Sequence, residues 1–78
     1  MEKTFGQTLN ELRKEKKLTL QQLADETGLS IMTLSNWEND KYKPRDLTAM
    51  KLIIPLECEL IMGKTRTILK RKENKYGN

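Results

Sequence analysis

The residues of this chain that could do chemistry are amides, hydroxyls and cations rather than nucleophiles or metal ligands. Histidine is absent and Cys58 is the only cysteine, which excludes most metal constellations and any histidine-based acid/base or nucleophilic scheme. No glycine-rich phosphate loop is present either. An enzyme is not expected, nor a metal, a cofactor or a small-molecule substrate. What remains is a polar set between residues 19 and 45: Thr19, Gln21, Ser30, Ser35, Asn36, Asn39, Lys41, Lys43 and Arg45, with apolar Ile31 and Met32 among them. Amides and hydroxyls offer directed hydrogen bonds, and the cations attract negative charge.

The charge is unevenly spread. Residues 1–62 hold nine lysines and arginines against ten acidic residues, whereas residues 63–78 hold Lys64, Arg66, Lys70, Arg71, Lys72 and Lys75 against Glu73. The formal net charge of +4 therefore comes from a basic C-terminal tail, which suits a polyanion. A chain of 78 residues is read as one domain with a modest core. No apolar run approaches the ~20 residues of a bilayer span, and the N-terminus lacks a secretory pattern. A lone cysteine cannot close an intramolecular disulfide and suits a reducing compartment, so a cytoplasmic location with no membrane association is expected. Cys58 is read as a small buried hydrophobe, with no neighbouring basic cluster to activate it.

Punctuation divides the chain into helices that must position the polar set. Thr4 and Gln7 fit a capping box that opens a helix carrying Phe5, Leu9 and Leu12, ending near Lys16 and Lys17. Thr19 and Gln22 form a second box, opening a helix whose buried face is Leu20, Leu23, Ala24 and Thr27. Gly28 ends it in the left-handed conformation. Ser30 caps a third helix running to about Asn39. Pro44 keeps the next segment from being helical throughout. Asp46 caps a fourth helix carrying Leu47, Met50, Ile53 and Ile54, which ends or kinks near Ile54 because Pro55 lacks a donor. The segment from Leu56 to Met62 could form a fifth short helix, and Thr65–Leu69 has some strand propensity.

The span from Leu20 to Asn39 meets the demands of a helix-turn-helix. A steep helix crossing needs a small residue, supplied by Ala24, and the tight turn needs a glycine, supplied by Gly28. Leu23, Leu29, Leu34 and Trp37 would lock the two helices together, which places Trp37 in the core. The conjunction closely resembles the Cro/phage-repressor (XRE-type) helix-turn-helix family over about residues 5–56. The matching stretches are Leu12-Arg13, Leu23-Ala24, Thr27-Gly28-Leu29-Ser30, Trp37-Glu38-Asn39 and Pro44. The resemblance implies an all-α fold, a four- to five-helix bundle of the lambda-repressor-like type. Residues 1–62 would form the DNA-binding domain. Residues 63–78 would be a basic tail, either disordered or a short dimerisation strand. It also implies a buried ion pair between Arg13 and Glu38.

In that family the third helix enters the DNA major groove. Helical spacing turns Leu34, Trp37 and Glu38 inward and leaves Ser30, Ile31, Met32, Ser35, Asn36 and Asn39 outward. Asn36 would pair with adenine, Ile31 or Met32 with thymine methyls, and Ser35 with a base or phosphate. Thr19 and Gln21, at the positive N-terminus of the second helix, and Asn39, Lys41, Lys43 and Arg45 after the third would hold phosphates. Two positions depart from the family pattern: Leu20 replaces its usual glutamine, and Asp40 replaces a frequent glycine and adds negative charge near DNA.

The function so implied is a nucleoid-associated repressor that binds double-stranded palindromic operator DNA as a homodimer. The expected dimer surface is Leu56, Leu60, Ile61 and Met62, extended by Ile68 and Leu69. The alternative is an antirepressor or antitoxin of the same fold, whose third-helix face, with Ile31 and Met32, or tail captures a protein partner such as a repressor or a toxin.

Overall fold

Each of the first three helices begins where a side-chain hydroxyl meets its orphan N–H groups. In the computed structural model, residues 3–44, 46–63 and 67–71 are described, Asp46 and Met62 by their backbone alone. Helix α1 (Phe5–Glu15) has a complete capping box: Thr4 Oγ1 accepts the Gln7 N–H, and Gln7 Oε1 accepts the Thr4 N–H. Helix α2 (Leu20–Thr27) repeats the device with Thr19 and Gln22. Helix α3 (Ile31–Glu38) starts with Ser30 Oγ accepting the Thr33 N–H at 3.0 Å. Gly28 closes α2 with φ +78°, and a Cβ there would meet nothing within 4 Å. Its requirement is therefore conformational rather than spatial. Buried Thr27 completes the turn, its Oγ1 donating to the Leu23 carbonyl and accepting the Leu29 N–H.

Beyond Pro44 the structure departs from the expected all-α bundle. Residues 46–56 form helix α4 (Asp46–Ala49), a 3-10 turn (Met50–Leu52) and helix α5 (Ile53–Leu56). The irregularity thus falls one turn before Ile54, and Pro55 is accommodated in the first turn of α5, where N–H groups lack intrahelical partners. The buried face keeps ordinary helical spacing across this break. Ala49, Leu52 and Leu56 point inward, while Leu47 is 80% exposed and Ile54 85% exposed.

Glu57, with φ +50°, turns the chain out of α5 into strand β1 (Cys58–Met62), which pairs antiparallel with β2 (Thr67–Arg71). The segment Leu56–Met62, which could have formed a fifth helix, instead leaves α5 after Leu56 and is a strand from Cys58, and residues 67–71 of the expected tail fold back as its partner. The reason is alternation. Cys58, Leu60 and Leu69 face inward, while Glu59 opposes Lys70 and Ile61 opposes Ile68 on the outer face. The strand propensity expected of Thr65–Leu69 is realised in Thr67, Ile68 and Leu69; the rest of that segment, and the tail's Lys64, Arg66, Lys72 and Lys75, lie outside the described residues. The expected dimer surface is corrected too, because Leu56 and Leu69 belong to the chain's own core and Leu60 packs against it.

The core is Leu9, Leu12, Leu23, Ala24, Leu34, Trp37, Leu52, Leu56, Cys58 and Leu69. Phe5 meets Trp37 edge to face at 6.3 Å. The Cys58 thiol is pushed up to about 11, first by burial and then by Glu59, against one backbone hydrogen bond. It is thus held protonated at neutral pH, as a small hydrophobe would be.

Two polar contacts fix α3 on α1. Glu38 accepts from Arg13 Nε at 2.6 Å, Arg13 Nη2 at 3.2 Å and Asn10 Nδ2 at 2.8 Å. This is the ion pair that the resemblance implied, with side chains 13% and 8% exposed and Asn10 as an added donor. Gly6 is the second contact. A Cβ there would lie 2.5 Å from the carbonyl oxygens of both Trp37 and Glu38.

Gly6→Ala is expected to lower unfolding free energy by about 1–3 kcal/mol, because backbone must shift. The helix-propensity gain of about 1 kcal/mol from alanine is smaller. Urea titration checks the sign. Glu38→Ala should cost about 3–5 kcal/mol by orphaning Arg13, whereas an Arg13→Met/Glu38→Leu pair should recover most of that loss in a double-mutant cycle.

Candidate nucleic-acid interface

The outward strip of α3 begins at its N-terminus. Ile31 is 40% exposed and Met32 73% exposed, Ser35 and Asn36 are half-buried, and Asn39 is exposed at the C-cap. Leu34 and Trp37 are buried on the opposite side, as helical spacing requires. Among the described residues the Asn36 side chain makes no hydrogen bond, so its amide keeps both donor and acceptor for a ligand. Its backbone carbonyl accepts the Lys41 N–H at 2.9 Å, which folds the following loop over the end of the helix.

Other members of the expected set are already engaged. Ser30 Oγ is the N-cap of α3 and also donates to Thr33 Oγ1. Asn39 Nδ2 donates to the Ser35 carbonyl at 2.9 Å. Gln21 Nε2 donates to Asp25 Oδ1, one turn along α2. Thr19 Oγ1 caps α2. Such bonds are weak and exchangeable at the surface, yet they set where each group stands before a ligand arrives.

Lys41 and Lys43 are exposed and form no ion pair among the described residues, while Arg45 lies outside them. Between them Tyr42 is 65% exposed. The sequence reading passed over it, although an aromatic residue flanked by two lysines in a loop is a recognisable signal: its hydroxyl can donate to a phosphate.

The two flanks converge through one side chain. Arg13 Nη1 donates to the Leu18 carbonyl at 2.8 Å, just ahead of the α2 N-terminus, while the same guanidinium holds Glu38 at the end of α3. The start of α2 and the loop after α3 are thereby fixed to one rigid fork. Acidic side chains around this surface are internally satisfied: Asp25 by Gln21, Glu38 by Arg13, and Asp40 by Thr4 Oγ1 at 2.6 Å and the Gly6 N–H at 2.9 Å. The surface left to a ligand is polar and apolar on α3 and cationic in the loop.

The chain is similar to several known proteins. The immunity repressor protein of Bacillus phage phi105 is 34% identical over 77 residues, covering 96% of this chain and 53% of the relative. The uncharacterised HTH-type transcriptional regulator RghRB of Bacillus subtilis is 46% identical over 62 residues, covering 76% and 45% respectively. The chain thus spans about half the length of these curated relatives. A crystal structure of SinR, described as the master regulator for biofilm formation and bound to DNA, matches with TM-score 0.66 at 29% identity, covering 69% of this chain and 87% of that one. A complex of SinR with SinI matches with TM-score 0.64 at 27% identity, covering 69% and 53%. The model of the helix-turn-helix family matches residues 9–61. This chain belongs to that family, of the Cro and phage-repressor (XRE) type.

Proposed function

We propose that the protein is a DNA-binding transcriptional repressor that reads a double-stranded operator by placing α3 in the major groove. The observation that carries this reading is a helix held by the Arg13–Glu38 fork whose outward strip offers an Asn36 amide without a partner among the described residues beside exposed Ile31 and Met32, followed by the cations of Lys41 and Lys43, which form no ion pair among those residues. Asn36 would read adenine, Ile31 and Met32 thymine methyls, and Ser35 or Ser30 a base or phosphate. Thr19 and Gln21 at the N-terminus of α2, with Asn39, Lys41, Tyr42, Lys43 and Arg45, would hold the backbone. The SinR–DNA complex and the phage immunity repressor support the same reading by kinship.

Binding as a homodimer to a palindromic site completes the proposal, since one such module contacts few base pairs. The outer pair Ile61 and Ile68, rather than Leu56 or Leu69, is what the hairpin leaves for a second copy. A second reading rests on the same exposed Ile31 and Met32: a protein partner would cover an apolar strip that lacks any arginine or lysine, and SinR is itself a similar protein found in a complex with another protein, SinI.

The test is to select duplexes from random-sequence DNA with the purified chain and titrate the winner by fluorescence anisotropy. Asn36→Ala should relax preference at one base position by about 1–3 kcal/mol. Lys41→Ala and Lys43→Ala should each flatten the dependence of log affinity on log salt by about one unit, with base preference unchanged. Failure to enrich any duplex at low salt, together with stoichiometric capture of a protein, would remove the repressor reading.

A further inference from the structure

We infer that Asp40 is a positioning residue for the DNA-facing loop, acting by closing the N-terminus of α1. This rests on the DNA reading above. Three features converge on this side chain. Its backbone has φ +58°, a conformation that glycine adopts freely and aspartate at some cost. Its Oδ1 accepts the Gly6 N–H at 2.9 Å, and its Oδ2 accepts Thr4 Oγ1 at 2.6 Å. Gly6 has no Cβ where one would lie 2.8 Å from Oδ1 and 2.5 Å from two α3 carbonyls, so the approach is as close as backbone permits.

The Gly6 N–H belongs to the first turn of α1 and has no intrahelical acceptor. Asp40 supplies one from 34 residues away, and its charge meets the positive end of the helix. Thr4 Oγ1 simultaneously accepts from Gln7 and donates to Asp40, so the capping box of α1 and the loop after α3 form one network. The loop is thus held at both ends of residue 40. On one side its chain continues α3, and on the other the Lys41 N–H returns to the Asn36 carbonyl. Lys41 and Lys43 follow directly, so the anchor decides where their charges stand. The same bonds direct the negative charge of Asp40 onto α1, which answers the objection that an acid in this loop would repel phosphates.

Two substitutions separate this role from its rivals. Asp40→Asn keeps the left-handed conformation and an acceptor for Gly6 while removing the charge. Asp40→Gly keeps the conformation and removes the anchor. Both are compared with the unaltered chain on the duplex that chain selects, together with thermal unfolding and hydrogen exchange at the Gly6 amide. The glycine variant should bind about tenfold more weakly near 0.1 M salt, the equivalent of one lost phosphate contact, with a flatter salt dependence and faster Gly6 exchange. The asparagine variant should bind as tightly as the unaltered chain or more tightly, with Gly6 still protected.

If Asp40 were only a repulsive charge, both variants would tighten binding equally. If it were only structural, the glycine variant would lose melting temperature but keep affinity and salt slope. Either result overturns the inference. Absence of any selected duplex for the unaltered chain would overturn it together with the DNA reading, whereas undiminished binding by the glycine variant would overturn the role of Asp40 alone.

Discussion

The position of α3 depends on one buried carboxylate. Glu38 sits at the last turn of the helix and is met by two guanidinium nitrogens of Arg13 and the amide of Asn10, all from α1. Its side chain is 8% exposed, so the charge is tolerable only while those donors are in place. Removing either partner leaves an orphan charge; replacing both by apolar groups need not. The interaction is therefore weak evidence for stability and strong evidence for orientation. It allows α3 one angle against α1, and through the Leu18 carbonyl it ties the entry of α2 to the same fork.

That arrangement explains which parts of the fold were legible in the sequence. Caps, turns and the left-handed glycine are decided by residues within four positions of each other, and Thr4, Thr19, Gly28 and Ser30 all did what their chemistry required. The hairpin was not legible in the same way. Cys58–Met62 is apolar except for Glu59, too short a pattern to distinguish a strand from another helical turn until β2 is set opposite it. The inward face of residues 46–56 was obscured for a related reason. Ala49, Leu52 and Leu56 share one helical face at i, i+3 and i+7 and are buried, but Leu47 and Ile54 offer an apolar face of equal regularity that the fold leaves exposed.

The candidate interface was half legible. Helical periodicity separates Leu34 and Trp37 from Met32, Ser35 and Asn36 without any structure. What periodicity omits is competition for hydrogen bonds. The Ser30 hydroxyl, the Gln21 amide and the Asn39 amide each already serve the protein, and among the described residues the Asn36 amide stands out as uncommitted. The bonds of Asp40 escaped for the opposite reason: its sequence position shows only a negative charge, and its partners Thr4 and Gly6 follow from the tertiary path of the loop, not from any helix face.

The uncommitted amide and the satisfied carboxylates belong to one design. If α3 reads DNA as proposed, a face without arginine or lysine gains little from long-range attraction, so its discrimination would come from a short side chain at a fixed height above the bases. Asparagine has two χ angles and short reach, and a small tilt of α3 would take its amide out of bidentate register. A long arginine could compensate for such a tilt; Asn36 cannot. The fork at Arg13 and the close approach at Gly6 supply the required rigidity at the C-terminal end of α3, while the Ser30 cap and the Thr27 hydroxyl supply it at the start. On the proposed reading, selectivity is thus a consequence of how firmly α3 is held, and the cations of Lys41 and Lys43 supply attraction from the loop beyond it.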